Sequence, residues 1–70
     1  MTTPQERTRA MVFARELLQE LKSPGKHPET TLETRRAIDV VLRHFPEDSM
    51  LDYAALEVPE LFSKVSDIPK

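Results

Sequence analysis

The chain contains no cysteine, so neither a disulfide nor a thiolate metal site is available to staple a small fold together. Across its 70 residues no apolar run approaches the roughly 20 that a membrane-spanning helix needs, and a soluble protein with no membrane partner is expected. The N-terminal stretch contains arginine and is amphipathic, as a transit peptide would be. Glu6, Glu16 and Glu20 argue against that reading, and the apolar centre of a secretory signal is missing; the expected location is the cytoplasm. A surplus of positive charge is lacking too, since the net charge is -2. Composition therefore gives no basis for predicting nucleic-acid binding, which draws on an excess of Lys and Arg.

Recognisable chemistry is equally sparse. There is no phosphate loop and no catalytic set. His27 and His44 are separated by a loop and a helix, and neither has a Cys, His or carboxylate at zinc-ligand spacing. Neither a metal nor a cofactor is expected. His44 has a plainer role near a helix C-terminus, where a cation meets the negative end of the dipole for about 0.3–1 kcal/mol. Glu47, Asp48 and Asp52 lack the glycine and ligand spacing of a calcium loop and read as charges at a helix start. A DNA-reading helix-turn-helix is disfavoured, because Pro24 and Pro28 stiffen the turn and Glu29 and Glu33 would face the phosphates.

What the chain does have is helical periodicity. Thr3, Pro4 and Glu6 form a capping box with proline in the first turn, predicting a helix over 4–22. Ala10, Phe13, Ala14, Leu17, Leu18 and Leu21 make its apolar stripe, with Met11 at the edge, and Ser23-Pro24-Gly25 ends it. Val12 lies off that stripe. A short prolyl loop then implies an αα-hairpin. The second helix, 28–44, starts at Pro28, or at Thr30 with Glu33 completing a capping box, and is stopped by Pro46. Thr34, Ile38, Val41, Leu42 and Phe45 share one side of it; Arg36, Asp39 and Arg43 share the other, and Val40 is off the main stripe. Arg35, Asp39 and Arg43 are spaced for i,i+4 pairs worth only about 0.2–0.5 kcal/mol each when exposed. Ser49 as cap with Asp52 predicts a short third helix, 50–57, with Leu51, Ala54 and Val58 on one side and Tyr53 and Leu56 on another. Pro59 opens a further turn through Leu61, Phe62 and Val65, and 66–70 is expected to fray.

Arg7 interrupts the apolar side of the first helix and has two readings. It snorkels at the rim of the core, or it forms a bidentate pair with a carboxylate of the acidic C-terminal part, tying the chain end to helix one.

Four runs, Glu6-Arg7-Thr8-Arg9-Ala10, Arg15-Glu16-Leu17-Leu18-Gln19-Glu20-Leu21, Arg35-Arg36-Ala37 and Leu42-Arg43-His44-Phe45-Pro46, resemble the pattern of a family of short hypothetical bacterial proteins of unknown function. The likeness covers roughly the first two thirds of the chain. Ile38-Asp39-Val40-Val41 stands where that pattern is more basic, and the chain continues past Pro46 in its own way. The resemblance implies a bacterial source and a compact helical protein, and transfers no activity or catalytic residue.

The expected architecture is a single all-α domain, an αα-hairpin of two longer helices closed by a short third helix. A chain of this length buries only about 60% of its unfolded surface, and surplus apolar groups favour association with itself or another protein. The expected function is a non-enzymatic interaction or regulatory module, with Arg7, Arg9, Arg36, Arg43, His44, Tyr53, Leu56 and Phe62 as candidate contact residues. The alternative is a weak nucleic-acid-binding accessory protein using surface arginines.

Overall fold

In the computed structural model, which describes residues 2–68, the first helix starts where the capping box requires. The Thr3 N–H donates to Glu6 Oε1 at 2.9 Å and the Glu6 N–H to the Thr3 hydroxyl at 3.1 Å, so two of the donors orphaned at a helix start are satisfied. Helix α1 runs Pro4–Lys22, as its sequence predicts. The bond from the Thr3 backbone N–H, followed by that with the Thr3 hydroxyl, holds the Glu6 carboxyl below its ordinary value of 4.5. A depressed carboxylate adds stability that is fully present above the unfolded pKa and is lost as pH falls through the folded one. Acid should therefore fray the first turn of α1 below about pH 4.5, read as amide chemical shifts of residues 3–7. Glu6→Gln, which still completes the box, should remove most of that pH dependence.

Helix α2 spans Leu32–Arg43 and so begins later than either start expected from sequence. Thr31 is its cap, accepting from the Thr34 N–H at 3.1 Å and donating to the Thr34 hydroxyl at 2.9 Å. The cause lies in the preceding loop. The His27 carbonyl takes the Thr30 N–H at 3.2 Å and an Arg35 Nη2 donor at 3.1 Å, and His27 Nδ1 draws Glu29 to 2.8 Å. Residues 28–30 are thereby held in turns, and the second threonine caps in place of the first. His44 ends the helix with its N–H on the Val41 and Leu42 carbonyls.

Helix α3 spans Asp48–Glu57, two residues earlier than predicted. Its cap is Glu47, in extended conformation and with no side-chain cap bond. Ser49 is already inside the helix, and Asp52, expected to complete its box, instead accepts the Val65 N–H at 2.8 Å. Beyond Glu57 the expected turn of helix through Val65 is replaced. The chain turns over 59–61, with Leu61 and Phe62 N–H groups on the Val58 carbonyl, is irregular over 62–64, and makes one 3₁₀ turn at Val65–Asp67. Residues 66–68 are thus tied in rather than frayed, while 69 and 70 lie outside the described residues.

The fold is all-α, an αα-hairpin of two longer helices with a shorter third. Its contacts form two compact units, one of residues up to Phe13 together with those from Pro46 onward, the other Ala14–Phe45, and α1 contributes to both. In the second unit Ile38 is buried, and Lys22 pairs with Asp39 at 2.6 Å between half-exposed side chains; that pair displaces the Asp39 pairing with Arg35 or Arg43 read from sequence.

In the first unit the buried residues are Thr8, Val12, Leu51, Ala55 and Ser63. This corrects the first half of the stripe assigned to α1; in the second unit its members Ala14, Leu18 and Leu21 are half-buried. Val12 is buried, whereas Phe13 and Leu17 are 41% and 55% exposed. The buried line through Thr8 and Val12 is turned by roughly 170° from the centre of the predicted stripe, counting 100° per residue. A hydrophobicity pattern cannot register the reason. Thr8 is fully buried because its hydroxyl donates to the Ser63 carbonyl and accepts the Ser63 N–H, both at 2.9 Å, and a satisfied polar group sits inside at little cost.

Candidate interaction surface

Arg7 answers the question left open by its position on α1. Its Nη1 donates to the Leu61 carbonyl at 3.1 Å and, more weakly, to that of Glu60 at 3.4 Å, while Nη2 donates to the Thr2 carbonyl at 2.8 Å. The tie to the C-terminal part exists, but its acceptors are backbone carbonyls and not a carboxylate. The planar fork suits this task, since it presents several donors in fixed directions. Arg7→Met should loosen residues 58–68 selectively, speeding their amide exchange roughly fivefold, about 1 kcal/mol, with α2 unaffected. Arg7→Lys should recover only part, because one ammonium cannot reach all three carbonyls.

The other candidate residues are distributed as follows. Arg9 is exposed, its guanidinium 4.8 Å above the Phe13 ring. Phe62 is half-buried and lines an open hollow of about 430 Å³ with Pro4, Ala55 and Lys64. Tyr53 and Leu56 are 65% and 70% exposed. These belong to the first unit with Arg7; Arg36, Arg43 and His44, all exposed, belong to the second. His44 lines neither that hollow nor the one formed by Glu16, Gln19, Glu20, Ser23 and Lys26. Among the described residues no group of three His, Cys, Asp or Glu is placed to hold a metal ion, and no helix is long and apolar enough to cross a membrane.

The most informative geometry is that of α3, which has two apolar sides. Leu51 and Ala55 are buried at 4% and 8% exposure. Met50, Tyr53 and Leu56, spaced i, i+3, i+6, occupy an arc of roughly 120° centred opposite to them, and Met50 is itself 58% exposed. Met50 was absent from the residues singled out by sequence, although its spacing to Tyr53 and Leu56 is the signal that finds it. A comparable outward line on α2 joins Leu32, Arg36, Val40 and Arg43 within roughly 80°. Its apolar members are 61% and 58% exposed.

No protein-family model matches the chain, and no curated protein or solved structure matches it either.

Proposed function

We propose that this chain is a non-enzymatic interaction module of the bacterial cytoplasm that docks onto a protein surface through the outer side of α3. The carrying observation is the exposure of Met50, Tyr53 and Leu56 along one line of a helix whose opposite side is buried. Single exposed apolar residues need no explanation, whereas three aligned on one short helix form a surface whose removal from water is favourable. Tyrosine and methionine suit such a contact: the ring gives large area for few rotatable bonds, and the thioether adapts to its partner. Arg7 is directed at carbonyls and Arg9 at a ring. That engagement favours the protein-docking reading over the nucleic-acid one, which needs those donors for phosphates.

The test is a photo-crosslinking side chain installed at position 53 in the producing cell, with position 19 on α1, also exposed, as control. The expected result is one discrete adduct from position 53 that disappears with Leu56→Ser and is absent from position 19. No adduct from 53, or the same adducts from both positions, overturns the proposal.

A further inference from the structure

The outward lines of α2 and α3 differ in charge. Between Leu32 and Val40 on α2 stand Arg36 and Arg43, both exposed. Asp39, the acid closest to them on that helix, is taken up by Lys22. The line on α3 carries the opposite sign: Glu57 lies between Met50 and Tyr53 around the helix axis, and Glu47 stands at its N-terminal end, exposed and making no cap bond. Apolar groups thus alternate with cations on one helix and with anions on the other.

From this complementarity we infer that the occupant of the α3 surface is the α2 line, Leu32, Arg36, Val40 and Arg43, of a second copy of the chain; the inference rests on the reading of α3 as the contact. Leu32 and Val40 meet Met50, Tyr53 and Leu56, and Arg36 and Arg43 meet Glu57 and Glu47. The spacings are compatible, since seven residues separate the cations by roughly 10 Å and ten separate the anions by roughly 15 Å along their helices, and arginine side chains reach outward on flexible stems. A contact of this kind is small. Three side chains burying at most about 150–250 Å² each, even where aromatic, fall short of the about 800 Å² a stable interface takes from each partner. The association is accordingly weak, concentration-dependent and sensitive to salt, which screens charges at the rim of an interface.

Light scattering and sedimentation of the full chain over a dilution series, at low and high salt, read this directly. The wild type should rise in molar mass with concentration, less so at high salt. Arg36→Glu with Arg43→Glu should weaken association at least roughly tenfold, as should Glu47→Arg with Glu57→Arg, because each opposes like charges. Mixing the two charge-reversed proteins should restore it, an outcome only folded variants give. A wild type that stays monomeric throughout, or charge-reversed variants that associate as the wild type does, overturns the inference. The mass of the position-53 adduct separates the two proposals. An adduct near twice 8.1 kDa agrees with a second copy, and a different mass with a monomeric wild type overturns self-docking while leaving α3 as a contact for another protein.

Discussion

Thr8→Val should lower the stability of the protein by about 2–4 kcal/mol. The substitution keeps the shape of the side chain and removes the one atom that both accepts the Ser63 N–H and donates to the Ser63 carbonyl. Ser63 is itself buried, so its N–H and C=O lose their partner where water does not readily replace it, each at about 1–3 kcal/mol. A chain of this length has a total stability of roughly 4–10 kcal/mol. The expected fall in Tm is about 8–32 °C, at 4–8 °C per kcal/mol for domains of this size. Two controls isolate the cause. Thr8→Ser keeps the hydroxyl and should lose only about 1 kcal/mol for the methyl. Ser63→Ala should be within about 0.5 kcal/mol, because Thr8 bonds to the backbone of Ser63, whose own hydroxyl reaches only the Lys64 carbonyl at 3.3 Å. Thermal unfolding followed by circular dichroism decides the matter: a Thr8→Val protein as stable as Thr8→Ser would mean that the reciprocal pair contributes nothing.

That pair also marks the limit of what periodicity reveals. The start of α1 was legible to the residue, since Thr3, Pro4 and Glu6 act through bonds within four residues of one another. The all-helical class and the two prolyl breaks were legible for the same local reason. The side that α1 buries in the first unit was not. It is set by Thr8 meeting Ser63, 55 positions away, and no hydrophobicity pattern assigns a threonine to the inside. The late start of α2 failed differently: Thr30, with Glu33 three residues on, is the better cap in sequence, and Thr31 caps instead because of the bonds that hold 28–30 to His27. The order of the C-terminal part likewise depends on distant acceptors, the Asp52 carboxylate for the Val65 N–H and the Leu61 carbonyl for Arg7. Of the candidate surface, Tyr53 and Leu56 could be read from their spacing, because an exposed side of a helix is as periodic as a buried one. Which side was exposed needed the tertiary contacts.

The two sides of α3 should respond to mutation in opposite ways. Leu51 is 4% exposed and Leu56 70%, five residues apart on the same helix and of the same chemistry. Leu51→Ala removes buried methyl groups and leaves a cavity, a change that costs about 2–5 kcal/mol in larger cores. In a core this small the neighbours can partly close the gap, so about 2–3 kcal/mol is expected, a fall in Tm of about 8–24 °C for a domain of this size. Leu56→Ser changes little that folding uses and should shift stability by no more than about 0.5 kcal/mol. Its expected effect is on association. A Leu56→Ser protein that melts like the wild type but no longer forms the position-53 adduct would show that α3 carries apolar surface beyond what the fold requires. If instead it melts markedly lower, the side chain is contributing to the folded core, and the outer side of α3 loses its claim to be a contact surface.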